Sequence, residues 1–381
     1  MLVRLSVAIA AVGLLSAAPS VVWALSAEDI PADTPVSSLL SSAQGHLSRG
    51  ETSAALVYYD AAISRDPSNY LTFFKRATTY LSLGRTAQAT DDFTKVLELK
   101  PGFEGAYAQL GKIKQRSADW DGAREHFLKA RRTPESKELS ELEEAQGAAS
   151  LAAAAEKSGN WEECVNQAGV AIMVANRSPP LRELRARCRF ARGEVEEGAS
   201  DLQHVLNMRP GDTRPHVRIS ALNFYSLGDM EKGMAQIRKC LHSDPESKVC
   251  KALLRQEKAV EKTIAKVHKA FSKNQPSTGT KYLVQSGEDQ GLIQEVKDQD
   301  AALRSDGTIP EAAPKRLITT LVGLACQGYY EVRCADSASP PAPSPLQAAV
   351  LTRSIDEQQK GRPVVRRVAP ARRELAVRPR Q

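Results

Sequence analysis

The chain has 381 residues, of which 42% are apolar, 25% charged and only 5% aromatic, and its formal net charge is +7. This length and apolar content allow a sizeable core and favour a chain rich in helix. The basic excess is not gathered into a stripe except near the C-terminus, which disfavours a nucleic-acid-binding protein and favours a mildly basic, solvated surface.

The first 24 residues have the pattern of a secretory signal peptide. One cation lies in residues 1–4, an apolar run covers 5–18, and residues 22–24 supply the cleavage positions. An uncleaved anchor is the alternative, but it would need about 20 apolar residues, and Pro19 interrupts the run. We therefore expect a chain without membrane insertion after cleavage, in the lumen of the endoplasmic reticulum or secreted, with a linker over 25–35.

A pattern of 34 residues begins at residue 36, returns at 70 and starts a third time at 104. Small residues at positions 8 and 20 let two helices approach closely, large residues at 4 and 24 fill the space beside them, and proline at 32 ends the second helix. The matching residues, with Gly at position 15, are Leu39 and Phe73, Ala43 and Ala77, Gly50 and Gly84, Ala55 and Ala89, Tyr59 and Phe93, and Pro67 and Pro101.

These residues resemble the tetratricopeptide repeat (TPR). The resemblance implies an all-α fold, a TPR solenoid of antiparallel helix pairs with about six to eight repeats, and composition predicts a disordered C-terminal tail after it. Degenerate copies start near 145, 179 and 214, and Leu139 and Leu142 indicate an extended helix before the fourth copy. The predicted domains are repeats 1–3 over 36–135, the helical extension with repeats 4–6 over 136–246, degenerate repeats or helices over 247–334, and the tail over 335–381.

After residue 246 the repeat pattern blurs into longer helical stretches. Residues 272–280 read as a loop, and two further helices are expected over roughly 281–304 and 313–333. Before that loop, a stripe of apolar residues at helical spacing predicts one helix of about 24 residues. The stripe comprises Val249, Leu253, Val260, Ile264 and Val267.

In a stack of this kind the first helix of each pair lines a concave groove, at roughly positions 2, 5, 9 and 12. In the first two copies these positions hold Ser37, Leu40, Gln44, Leu47, Leu71, Phe74, Thr78 and Leu81. Because five of the eight are large and apolar, the groove is predicted to bind a peptide or an unfolded chain. The predicted client-binding residues are Leu40, Leu47, Leu71, Phe74, Thr78 and Leu81. In the alternative, some of them pack beneath the N-terminal tail or the adjacent helix.

TPR proteins that clamp the acidic C-termini of cytosolic heat-shock chaperones use Lys and Asn where this chain has Leu40 and Gln44. In their third repeat they present Lys and Arg where this chain has Ala108 and Lys112. A carboxylate clamp needs several donors that converge on one anion, and a single lysine cannot supply them. The sequence therefore disfavours a clamp of that type.

The secretory signal, the insertion after the third repeat and a cysteine pair ten residues apart resemble the luminal co-chaperones typified by DnaJ homolog subfamily C member 3. That resemblance, over roughly residues 30–333, implies repeats that hold unfolded clients, for handover to a luminal Hsp70 through a J domain and with a link to the unfolded protein response. It also implies a disulfide between Cys240 and Cys250, with two free thiols as the alternative. The other four cysteines are also disulfide candidates in an oxidising compartment, with no pairing assigned. They are Cys164, Cys188, Cys326 and Cys334.

The sequence also departs from that family. A J domain acts through a His-Pro-Asp loop, and no histidine of the chain precedes a proline. The J domain is therefore expected to be missing, either in fact or through a misread gene model. The Pro- and Arg-rich residues 335–381 are predicted to be disordered rather than a basic arm for nucleic acid.

No sequence motif of catalysis is present, and the cysteines lack zinc-ligand spacing. We therefore expect no enzyme, cofactor or metal. The predicted function is that of a luminal co-chaperone that binds unfolded proteins. The alternative is a TPR adaptor that scaffolds one folded partner in the secretory pathway.

Overall fold

A computed structural model describes residues 30–287 and 289–336, with side chains up to residue 332. The predicted signal peptide, the linker residues 25–29 and the tail from residue 337 lie outside the described residues. Across the described ranges the chain is helical without any strand, and one isolated bridge joins Ser286 to Asp289. The all-α solenoid is therefore confirmed.

Six helix pairs follow one another along the chain, each helix packing on its neighbours in sequence. Their bounds are α1 (Val36–Ser48), α2 (Thr52–Arg65), α3 (Tyr70–Ser82), α4 (Thr86–Leu99), α5 (Glu104–Arg116), α6 (Trp120–Lys129), α7 (Lys137–Ser158), α8 (Trp161–Val174), α9 (Pro179–Ala191), α10 (Val195–Met208), α11 (Thr213–Ala221) with a π-helical turn (Leu222–Ser226), and α12 (Met230–Ser243). The remaining helices are α13 (Lys248–Ser272), α14 (Pro276–Leu283), α15 (Leu292–Ser305) and α16 (Arg316–Asp336).

The turn inside each pair uses the left-handed backbone region. Gly50 and Gly84 have φ of 78° and 73°, a conformation that glycine adopts without steric cost. The third pair has Ala118 in the corresponding place, with φ of 65°. An L-residue with a Cβ is unfavourable there, so this turn is held by the packing of α5 against α6.

Proline ends the second helix of several pairs, as predicted. The residue before each proline leaves the helical region because the proline ring clashes with it. Asp66 and Lys100 accordingly have φ of −134° and −137° with ψ of 82° and 83°. The chain then turns and starts the next pair.

The core of each pair follows the spacing read from the sequence. Ala43 and Ala55 are fully buried and Tyr59 is 1% exposed. In the third pair Gly111 lies so close to Phe127 that a Cβ on the glycine would come within 2.7 Å of the ring. Small residues therefore set the close approach of the two helices, and the aromatic ring fills the space beside it.

The extended helix expected before the fourth repeat is α7, which runs unbroken for 22 residues. Leu139 and Leu142 in its first turns are buried against Ala123 and Phe127 of α6. The additional residues thus cover the end of the third pair.

The described residues divide into two compact units, 30–257 with 300–315, and 258–299 with 316–336. In the second unit α14 packs on α16. The loop expected over 272–280 is confined to residues 273–275, since α14 starts at Pro276, and proline is well suited to a first helical position. The helix expected over roughly 281–304 was wrong in its start only, because the chain leaves the helix after α14 and α15 runs from Leu292 to Ser305.

The stripe predicted for α13 is buried at four of its five positions, with Leu253, Val260, Ile264 and Val267 at most 5% exposed. Val249 was wrongly included, because it is 61% exposed in the first turn of the helix.

Two pairs of cysteines have their sulfur atoms at bonding distance. Cys240 of α12 and Cys250 of α13 are 1.97 Å apart, and Cys164 of α8 and Cys188 of α9 are 1.96 Å apart. All four side chains are fully buried, whereas Cys326 is exposed and unpaired among the described residues.

Replacing both Cys240 and Cys250 by alanine should lower the free energy of unfolding by roughly 2 to 3 kcal/mol, because the bridge restricts a loop of 10 residues in the unfolded chain. Urea titrations of the oxidised parent and variant measure the difference, with Cys326→Ser as the matched control. Equal midpoints for the oxidised parent and the double variant, or mass mapping that finds both thiols free, would contradict the bridge.

Candidate functional site

The six predicted groove residues lie on α1 and α3, the first helices of the first two pairs. Leu71 is 43% exposed. The other five are half-buried, and they are Leu40, Leu47, Phe74, Thr78 and Leu81. One exposed leucine thus stands among five side chains that are partly covered by the packing.

Phe74 lies where the second and third pairs meet. Its ring centroid is 5.6 Å from that of Phe93 on α4 and 5.2 Å from that of Phe103, in an edge-to-face arrangement with the latter. A Cβ on Gly105 would come within 3.4 Å of the Phe74 ring. Because two aromatic neighbours and a glycine fix the ring, Phe74 presents its remaining surface in one orientation.

The leucines of α1 are held in a similar way. Leu40 packs against a cluster with Ile30 and Leu39 and against a second cluster with Ala43 and Tyr59, and Leu47 packs against the second cluster. The first cluster includes Ile30 from the segment before α1, which agrees with the alternative of packing beneath the N-terminal segment. Leu40 therefore has a packing role in addition to any contact with a partner.

Thr78 and Leu81 complete the surface on α3. The hydroxyl of Thr78 donates to the carbonyl of Lys75 at 2.7 Å, so its hydrogen is already used within the helix. Leu81 packs on the core around Phe73 and Ala77. We call the set of six predicted residues on these two helices the α1–α3 surface.

An ion network missed by sequence reasoning lies on the same helix. Arg76 of α3 donates two hydrogen bonds to Asp92 of α4, at 2.7 and 2.8 Å, and one to Asp60 of α2 at 2.7 Å. The hydrogen bonds to Asp92 raise the pKa of Arg76 above its ordinary value, burial opposes the rise, and Asp60 adds to it. The guanidinium carbon also lies 5.6 Å from the centroid of the Phe73 ring. Through Asp60 of α2, Arg76 connects the second helix pair to the first.

The same pair of positions is used again in the fifth repeat. Asp201 of α10 is 1% exposed and accepts hydrogen bonds from three arginines of α9. Arg185 makes two of them, at 2.6 and 2.9 Å, and Arg182 and Arg189 make the others. Asp92 lies 16 residues after Arg76, and Asp201 lies 16 residues after Arg185. Aligning the repeats with one another would have revealed this recurring Arg and Asp from the sequence.

None of the helices that the structure describes is long and apolar enough to cross a bilayer. The described ranges also hold no group of three or more His, Cys, Asp or Glu side chains placed to bind a metal ion.

Comparison with known proteins agrees with this architecture. The tetratricopeptide repeat model matches residues 72–103. The solved structure of the P58(IPK) TPR domain superimposes with a TM-score of 0.64 at 23% identity, covering 85% of this chain and 84% of that one. This likeness shows the fold.

Two curated relatives carry the comparison further. The tetratricopeptide repeat and J domain-containing co-chaperone DNJ1 of Fusarium oxysporum f. sp. lycopersici is 58% identical over 308 residues, which cover 81% of this chain and 59% of the relative. Human DnaJ homolog subfamily C member 3 is 32% identical over 226 residues, covering 57% of this chain and 45% of the relative.

The chain thus spans about half to three fifths of the length of these relatives. The expected lack of a J domain therefore stays a prediction. The fold, the repeat model over residues 72–103 and the 58% identity show that the chain is similar to the co-chaperones that combine tetratricopeptide repeats with a J domain.

Proposed function

We propose that the chain is a luminal co-chaperone that binds exposed apolar segments of unfolded proteins on the α1–α3 surface. The observation that carries the proposal is the presence of five large apolar side chains on the groove-lining helices, among which Leu71 is 43% exposed. Similarity to DNJ1 supports a co-chaperone role. Residence in the endoplasmic reticulum lumen, handover of clients to a luminal Hsp70 and a link to the unfolded protein response belong to the same proposal.

The geometry suits weak and reversible capture. Side chains such as Phe74 are already fixed by their neighbours, so a client does not need to order them on binding. Each apolar contact contributes about 1 to 2 kcal/mol at best, and several of them together hold a client without preventing release. A surface built from apolar contacts also discriminates little between client sequences.

The sharpest test uses Leu71, because its side chain is the most exposed of the set. Leu71→Asp should weaken suppression of client aggregation by about five- to tenfold, since it places a charge where apolar client side chains bind. Leu128→Asp is the matched control, because Leu128 of α6 is 51% exposed and lies outside the surface. Circular dichroism should show equal helicity for both variants. Equal suppression by the parent and Leu71→Asp would overturn the proposed surface.

A panel of unrelated denatured clients separates this function from that of an adaptor for one folded partner. A holding co-chaperone should suppress the aggregation of most of the panel, and an adaptor should ignore it. Cell fractionation tests the location. The natural protein should be found in the lumen of the endoplasmic reticulum, and recovery from the medium would show secretion instead.

A further inference from the structure

A second concave site lies among α9, α10 and α11, away from the α1–α3 surface. It is an open cavity of about 180 Å³, and its polar lining comprises Arg187, Arg214, Arg218, Glu183 and Asp212. Leu202 and Pro215 supply its apolar lining. Several of these charges are already compensated.

Arg187 donates two hydrogen bonds to Glu156 of α7, at 2.6 and 3.1 Å. Asp212 caps α11 by accepting the backbone N–H of Arg214 at 3.2 Å. The same carboxylate lies 3.7 Å from the Arg214 guanidinium. Arg187 and Asp212 therefore have partners within the protein, and Arg214, which is 89% exposed, is only loosely paired.

Arg218 differs from the other two arginines. Its guanidinium carbon lies 4.5 Å from the centroid of the Phe190 ring, and its buried Nε has no hydrogen-bond partner among the described residues. No ion pair with a described carboxylate compensates its charge. Burial is the largest cause that lowers the pKa of Arg218, and the positive charge of Arg187 adds to it.

A half-buried guanidinium without an anion is costly, because the charge has lost water and gained only the face of an aromatic ring. Arginine presents its donors in a planar fork that fits a carboxylate with two parallel hydrogen bonds. The apolar lining and the open shape leave room for a side chain that reaches Arg218 from solvent.

We infer that this cavity binds a carboxylate side chain of an acidic polypeptide segment, with Arg218 as the principal cation and Arg214 at the rim. The occupant is an extended stretch rich in Asp or Glu, chosen by charge complementarity with the uncompensated guanidinium. Glu183, which also lines the cavity, opposes such a ligand and tunes its affinity downward. The site does not depend on the proposed binding of apolar clients.

The test measures the binding of a fluorescently labelled oligoglutamate peptide to the full chain by anisotropy at low salt. Arg218→Met keeps an unbranched side chain of similar length and removes the charge, so it should weaken binding by about tenfold or more. Glu183→Gln should strengthen binding by about threefold through the loss of one repulsive charge. Arg49→Met is the matched control, because Arg49 is an exposed arginine far along the chain from this cavity.

Two readouts separate the site from a structural role for Arg218. The thermal midpoint of Arg218→Met should equal or exceed that of the parent, since the variant loses an uncompensated charge. Leu71→Asp should leave oligoglutamate binding unchanged, so failure here and failure of the apolar surface are distinguishable. Equal affinity of Arg218→Met and the parent, or equal binding of an oligoglutamine peptide, would overturn the inference, as would inorganic phosphate binding in place of the peptide.

Discussion

Replacing Asp201 by alanine should lower the free energy of unfolding by about 3 kcal/mol or more, because it removes the one carboxylate shared by three arginines. Asp201 is 1% exposed, and Arg182, Arg185 and Arg189 keep only 13%, 17% and 21% of their side chains exposed. Without the carboxylate, three positive charges would remain on one helix with little water to solvate them. Thermal or urea denaturation followed by circular dichroism measures the loss.

Asp121→Ala is the control for this prediction. Asp121 is 94% exposed and lies 3.3 Å from Arg124, and exposed pairs of this kind contribute about 0 to 1 kcal/mol. A loss for Asp201→Ala no greater than that of Asp121→Ala would show that the arginines of α9 find other compensation.

The stability of the chain should also fall as the pH rises from about 4.5 to about 7, through the buried Glu257 of α13. Burial is the largest cause that raises the pKa of Glu257, from its ordinary value to about 7, and the hydrogen bond from Ser220 and the charge of Arg238 oppose the rise. The folded state thus holds a proton that the unfolded state releases at lower pH. The stabilisation is complete below pH 4.5 and is lost through pH 7, a difference of about 3 kcal/mol.

The distances around Glu257 are compatible with the protonated form. The hydroxyl oxygen of Ser220 lies 2.6 Å from the carbonyl oxygen of Gly233 and 2.7 Å from Oε1 of Glu257. One hydroxyl hydrogen cannot serve both acceptors. If Glu257 carries the proton, it donates to Ser220, and Ser220 donates to Gly233.

Glu257→Gln tests this assignment, because an amide keeps a donor and an acceptor at every pH. The variant should be about 3 kcal/mol more stable than the parent at pH 8 and nearly equal to it near pH 4. The comparison at each pH cancels the opposite contribution of His216, whose pKa burial lowers. A constant difference between the two chains across the range would contradict a protonated Glu257.

The first three pairs could be predicted from the sequence in detail. Helices begin at Val36, Tyr70 and Glu104, the positions at which the 34-residue pattern restarts. The pattern predicts these helices because it depends on local requirements, namely a small residue where two helices cross and a proline where a helix ends. Burial at Phe73 and Ala77 follows from the same causes.

The features that the sequence could not supply depend on contacts between repeats. Arg76 and Asp92 read as solvated charges until α3 and α4 are placed side by side. An apolar residue such as Leu40 is expected both in a core and at a client-binding site, so the sequence does not distinguish the two roles. α14 includes Gly279, and a Gly-containing segment resembles a loop in the sequence. In the structure this glycine lies close to α13, since a Cβ on it would come within 2.7 Å of the Phe271 ring.

The packing of each helix on its neighbours in sequence also bears on how the protein is made. The first six helices pack mainly on their neighbours in sequence, so closure of each pair costs little loop entropy. The first three pairs can therefore assemble during synthesis, once Leu142 of α7, which covers α6, has left the ribosome. On that schedule the α1–α3 surface is complete before the chain has produced Arg218.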